Sequence, residues 1–208
     1  MKIETIDIDG LYKVSFCEIP GMVDYSDSAC LGLRYLTANV RSENRRREVF
    51  TSNLLVRELF GDACRLNHKL SGAPFLENCK GRTPEISMSH CRDLVAIAYG
   101  KSPVGVDVET IAERVMHVRE RVQSDEEQRF TGHSLVANTI AWTAKEALFK
   151  VIPEEGVDFA ADLQVDLSKV SPQSPVNEYT AVAFGRTYRL VSKVLDDRIL
   201  TIAYQISK

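Results

Sequence analysis

Two short segments hold the side chains best suited to chemistry on a phosphate: Val104-Gly105-Val106-Asp107-Val108-Glu109, and Trp142-Thr143-Ala144-Lys145-Glu146-Ala147-Leu148-Phe149-Lys150. The first reads as a strand, whose period of two puts Asp107 and Glu109 on one face, so both carboxylates can point at one spot. The second reads as an amphipathic helix, with Trp142, Leu148 and Phe149 as apolar contacts and Glu146 one turn before Lys150 on a polar face. Three carboxylates from a strand and a helix, with lysines beside them, suit a Mg²⁺ ion that holds a phosphorylated ligand. The bland alternative is a set of solvated surface charges, including a Glu146–Lys150 pair one turn apart. Lys145 and Lys150 lie five positions apart, roughly 140° around a helix, so they do different jobs.

Other segments carry weaker signals. Ile86-Ser87-Met88-Ser89-His90 is a short strand of small polar residues ending in an imidazole that can donate to a phosphate oxygen, or can simply be a half-buried, satisfied histidine. Arg45-Arg46-Arg47 opens a helix and either grips an anion through bidentate forks or forms a solvated face. Val115, Met116, Val118 and Val122, interleaved with Arg114, Arg119 and Arg121, form either a docking face for an acidic, partly apolar partner or an ordinary amphipathic helix on the core.

These residues must be positioned by an alternation of strands and helices. Ile3, Ile6, Ile8 and Leu11, Val14, Phe16 flank Asp9-Gly10 as a β-hairpin. A helix runs from Ser42 to Phe60, with Phe50, Leu54 and Leu55 inward and Gly61 as its stop. Pro74, Gly72, Gly81 and Pro84 punctuate a loop before the Ser-His strand. Leu94–Tyr99 is a strand that turns at Gly100-Lys101-Ser102 into the Asp107 strand. Ser124 and Glu127 form a capping box for a short helix, and a longer helix covers about 134–151. The remainder is strand-rich around 163–167, 179–184, 187–194 and 198–206. The stretch 20–40 is the least legible. This order gives an α+β fold in two halves, 1–102 and 103–208, the second carrying the carboxylates.

Composition narrows the class. With 44% hydrophobic and 26% charged residues, the 208-residue chain resembles an ordinary soluble globular protein with room for a sizeable core. No apolar run approaches the roughly 20 residues of a membrane span, and the first residues lack a signal peptide's apolar stretch. A formal net charge of −3 gives no global positive field for nucleic acid. Five cysteines without a Cys-x-x-Cys pair argue against a disulfide framework or a zinc site, and for a reducing cytoplasm.

The ordered set of motifs resembles the 4′-phosphopantetheinyl transferase superfamily, of the surfactin-synthetase-activating kind. Gly105, Asp107 and Glu109 match its Gly-x-Asp-x-Glu strand. Trp142, Thr143, Lys145, Glu146, Ala147 and Lys150 match its Trp-(Ser/Thr)-x-Lys-Glu-(Ala/Ser)-x-x-Lys helix, and Ser89-His90 its Ser-His strand. The resemblance implies two related α+β halves packed as a pseudo-dimer within a monomer. It also implies Mg²⁺-dependent transfer of the 4′-phosphopantetheine arm of coenzyme A to a serine of an apo acyl or peptidyl carrier protein, releasing 3′,5′-ADP. By the same resemblance Asp107, Glu109 and Glu146 hold Mg²⁺, with Glu146 also a candidate base. Lys150 reaches a phosphate, Lys145 lies nearer the attacking serine, and His90 with Ser89 meets a coenzyme A phosphate. Arg47 is a further phosphate candidate, and Gly72-Ala73-Pro74 resembles the family's Gly-Lys-Pro turn beside adenine. Alanine replaces that lysine, and Asn53 stands where another basic residue is expected. The alternatives are a Mg²⁺-dependent nucleotide or pyrophosphate hydrolase, and a family member that binds coenzyme A or carrier without turnover.

Overall fold

The structure, a computed structural model, describes residues 1–24, 33, 37, 40–81 and 83–206. Most of the stretch 20–40 lies outside them. The fold is α+β. A four-stranded antiparallel sheet has the order β1-β2-β6-β5, from β1 (Glu4–Ile8), β2 (Tyr12–Glu18), β5 (Glu85–Cys91) and β6 (Leu94–Gly100). A five-stranded antiparallel sheet has the order β7-β11-β10-β9-β8, from β7 (Val104–Thr110), β8 (Leu163–Val165), β9 (Val176–Ala183), β10 (Arg186–Leu195) and β11 (Arg198–Gln205). Four α-helices complete it among the described residues: α1 (Glu43–Phe60), α2 (Arg114–Val122), α3 (Asp125–Thr131) and α4 (Leu135–Val151).

The alternation expected of the strands decides what each face meets. Val104, Val106 and Val108 of β7 join Val14, Phe16, Ala96 and Ala98 in a core between the two sheets. The opposite face of β7 turns toward α4. That helix buries Ile140, Ala144 and Leu148 against Leu163, Leu190 and Ile199 of the five-stranded sheet, at about 1.5–3 kcal/mol for each large side chain. On the other sheet, Leu55 and Val56 of α1 pack on Cys17, Val95 and Ile97. Two charged clasps reinforce the contact between the sheets. Arg198 donates to both Asp93 oxygens at 3.0 and 2.7 Å, and Arg189 lies 3.3 Å from Asp9.

Helix ends follow their capping chemistry. Ser42 caps α1, and Gly61, at φ 95°, donates its N–H to the Arg57 carbonyl. Ser124 and Glu127 form the reciprocal box expected at α3, and Ser134 accepts from Ala137 N at the start of α4.

Two expectations need correction. The punctuated segment before β5 is not only loop: Arg65–His68 (β3) and Pro74–Glu77 (β4) pair as a small antiparallel hairpin. The odd cysteine count also concealed a pair, since Cys64 and Cys79 are joined in a disulfide while Cys17 and Cys91 remain free and buried. The hairpin explains it. Arg65 lies opposite Glu77, so the chain entering β3 and the chain leaving β4 run side by side, with the two Cα atoms 4.3 Å apart.

Candidate active site

Gly105 sets the geometry. A Cβ built there would lie 1.8 Å from the Ala147 carbonyl oxygen and 2.9 Å from its carbon, so only glycine lets α4 rest backbone-to-backbone on β7. Asp107 and Glu109 follow Gly105 on the same face of the strand and therefore point at α4. From the helix, Lys150 reaches back: its Nζ donates to Asp107 Oδ1 at 2.8 Å and to the Val106 carbonyl at 2.9 Å. A buried chain of hydroxyls ties α4 to the sheet. It runs from Thr143 to Thr201 (2.7 Å), on to Ser192 (2.7 Å) and then to Tyr179 (2.6 Å). Thr201 stands directly opposite Asp107 in the β7–β11 register.

β7 is an edge strand of its sheet, and the serines of β5 complete its outer edge. Ser87 Oγ accepts from Val106 N at 3.1 Å, and Ser89 Oγ accepts from Val108 N at 3.2 Å. Ser89 also donates to Asp107 Oδ1 at 2.7 Å. Asp107 Oδ1 thus receives both a hydroxyl and an ammonium. Asp107 Oδ2 is buried and has no hydrogen-bond partner among the described residues. Such an orphan is costly unless something electropositive meets it.

The charges of the cluster are under tension. Burial raises the Glu146 pKa from 4.5 to about 7, the negative charges of Asp107 and then Glu109 add to the rise, and Lys150 opposes it. Burial also raises Glu109, against the pull of the Arg114 guanidinium, with which it forms an ion pair. Three hard-oxygen donors, one with an idle buried lone pair and two raised toward neutrality, fit a small divalent cation. Among the described residues no three such side chains close around one point, and Lys150 and Arg114 engage two of the carboxylates.

The remaining predicted residues divide. His90 lies on the opposite face of β5 from Ser89, exposed toward α1, with Nε2 2.7 Å from Glu48 Oε1 and 3.4 Å from an Arg45 nitrogen. Burial, followed by the charges of Arg45 and Lys150, lowers its pKa. Arg45 is therefore the member of the arginine run beside His90. Arg47 is directed elsewhere, donating to the carbonyls of Pro20 (3.0 Å) and Gly21 (2.9 Å). Asn53 is buried and donates to Val49 O within its own helix. Gly72-Ala73-Pro74 forms the tip of the β3–β4 hairpin, where Lys69 N donates to Ala73 O at 2.9 Å. Its second strand packs beside β5.

Lys145 lies apart from the carboxylates. Its side chain is 0% exposed and paired with Glu127 at 2.6 Å, donating also to the Phe159 carbonyl at 2.8 Å. Adjacent helical residues point about 100° apart, so the turn that aims Glu146 at Asp107 aims Lys145 into α3. The structure does not bring it to the carboxylates. Glu146 instead borders a 430 Å³ hollow lined by Val118, Arg121, Trp142, Val157, Asp158 and Phe159. On the other side of Trp142 a 180 Å³ hollow reaches Glu109 and Arg114. Sequence reasoning missed Glu48 and Phe159, and it named Ser87 and Arg114 without linking them to the carboxylates. Only Ser87 left a signal, since it shares the face of Ser89 two positions on.

No curated protein sequence matches the chain. A family model described as the 4′-phosphopantetheinyl transferase superfamily matches residues 93–203, more than half of the 208 residues. The matched span runs from the β5–β6 turn to β11 and includes Asp107, Glu109, Glu146 and Lys150. With the carboxylate cluster placed where β7 meets α4, the chain belongs to the 4′-phosphopantetheinyl transferase superfamily.

Proposed function

We propose that the protein transfers the 4′-phosphopantetheine arm of coenzyme A to a serine of an apo acyl or peptidyl carrier protein, releasing 3′,5′-ADP. The observation that carries this reading is the buried, unpartnered Asp107 Oδ2 beside Glu109, Glu146 and Lys150. Mg²⁺ held by Asp107, Glu109 and Glu146 would neutralise pyrophosphate oxygens as the phosphoryl bond breaks.

The chain's own residues then do the positioning. Lys150 carries three N–H donors. Two serve Asp107 and Val106, leaving one for a phosphate oxygen. Ser89 holds Asp107 in orientation. Glu146, a Mg²⁺ ligand in this reading, also borders the hollow beside Trp142, where a serine hydroxyl would enter. Arg45 and His90, on the α1 side of β5, are the basic pair offered to a more distant coenzyme A phosphate, with the Gly72-Ala73-Pro74 turn as the adenine neighbour. Basic Arg121 and apolar Val118 on α2, at the rim of the hollow, suit the acidic surface of a carrier protein. Among the described residues no helix is long and apolar enough to cross a membrane. We place the activity in the cytoplasm, on a monomer, where coenzyme A and apo carriers are both at hand.

Intact-protein mass spectrometry of an apo carrier mixed with the protein, coenzyme A and Mg²⁺ tests the reading. A carrier mass increase equal to phosphopantetheine, lost in Asp107→Asn and on chelation, is expected. Coenzyme A bound without any increase across acyl and peptidyl carriers would instead identify a binder, and release of 3′,5′-ADP without carrier modification a hydrolase.

A further inference from the structure

We propose that Lys145 is a positioning residue: its buried ammonium, held by Glu127, fastens the loop 157–161 to α4 through the Phe159 carbonyl and so fixes the aromatic wall of the hollow that Glu146 borders. The kinetic part of this inference rests on the transferase reading above.

A wholly buried ammonium needs close partners, because removing it from water costs several kcal/mol on its own. Lys145 has two, Glu127 at 2.6 Å and Phe159 O at 2.8 Å. Glu127 is itself a junction. Its Oε2 accepts from Ser124 N at 2.7 Å, closing the cap of α3, and its Oε1 accepts from Val165 N at 2.9 Å on β8. One ion pair thus joins α3, α4, β8 and the loop that precedes β8.

Fold stability alone does not call for that arrangement, since apolar residues of similar volume commonly replace a buried pair at no loss. What an apolar replacement cannot supply is a donor to the Phe159 carbonyl from the residue adjacent to Glu146. The loop is folded on itself, with Asp158 Oδ1 accepting from Ala160 N (2.9 Å) and Ala161 N (3.0 Å). The Phe159 ring centroid lies 6.3 Å from that of Trp142 and 5.2 Å from that of Phe149, both on α4. Lys145 and Glu146, neighbours in sequence, therefore set the wall and the carboxylate of one hollow from the same helical turn.

Trp142 is the sole tryptophan of the chain, so its fluorescence reports this wall without any assay of turnover. Lys145→Met alone strands the Glu127 charge and can unfold the protein. The working variant is therefore Lys145→Met with Glu127→Gln, which keeps volume and removes both charges, alongside Phe159→Ala, which removes the wall and leaves the pair intact. The double variant is expected to retain the wild-type far-ultraviolet circular dichroism, and acrylamide quenching of Trp142 is expected to rise about twofold. Its kcat/KM for the apo carrier is expected to fall about tenfold, a modest loss for a misplaced catalytic wall, with KM for coenzyme A unchanged. Phe159→Ala should give the same kinetic split, and combining all three changes should cost no more than either set alone. A folded Lys145→Met/Glu127→Gln protein with wild-type Trp142 quenching overturns the proposal, as do losses that multiply with Phe159→Ala. If the wild type transfers nothing to a carrier, the functional reading fails, and the quenching result alone decides the positioning role.

Discussion

Glu146→Gln is expected to stabilise the metal-free protein at alkaline pH while abolishing its response to Mg²⁺. The folded-state pKa of Glu146 is raised from 4.5 to about 7 by burial and by the neighbouring charges of Asp107 and Glu109. Between those two pH values the folded protein holds a proton that the unfolded chain has released, so stability falls as pH rises through this window. Above it the ionised Glu146 acts against folding by at most about 3 kcal/mol, which partial solvent access reduces to about 1–2 kcal/mol. Glutamine resembles the protonated carboxyl in shape and carries no charge. The variant should therefore match the wild type near pH 5 and melt about 3–6 °C higher at pH 8 in chelator, a shift suited to a domain of this size. Thermal unfolding by circular dichroism at both pH values measures it. Mg²⁺ should raise the wild-type midpoint at pH 8, by about 3 kcal/mol of stability at a hundredfold excess over its dissociation constant, and leave the variant nearly unmoved. A variant no more stable than the wild type at pH 8, or stabilised equally at both pH values, would refute the electrostatic account of this cluster.

Two further substitutions probe how the site is built. Gly105→Ala places a methyl group against the Ala147 carbonyl, which cannot rotate away. It should cost about 3 kcal/mol in urea unfolding, and it should lower turnover further in the fraction that still folds because Glu146 and Lys150 leave Asp107. Ser89→Ala removes a donor to Asp107 Oδ1 and the acceptor for Val108 N. A loss of about 1–3 kcal/mol is expected in the same assay, together with weaker Mg²⁺ binding by titration calorimetry, and a silent substitution would show that β5 does not hold the carboxylate.

Much of this protein was legible because its signals are local. Period-two spacing put Gly105, Asp107 and Glu109 on one face of β7, and helical spacing put Lys150 one turn beyond Glu146. The stop at Gly61 and the capping box at Ser124 marked two helix ends, and the apolar pattern over 42–60 and about 134–151 marked two helices near their observed limits. Such features depend on neighbours within a few residues, which the sequence displays directly. Tertiary structure decided which partner each side chain meets across long separations. Gly105 is needed because a carbonyl 42 residues onward in the chain lies against it. Ser89 became a brace for Asp107 because β5 runs along the free edge of β7, and Cys64 met Cys79 because a hairpin brought together residues 15 apart. Arg47 was drawn to the carbonyls of Pro20 and Gly21 while Arg45 took the place beside His90. Lys145 shows the division most plainly: its motif marked it as important, but only the packing of α3 against α4 gave it a buried bond with Glu127. An ammonium at that position has no water to turn to, and its role follows from the acceptors that the fold places around it.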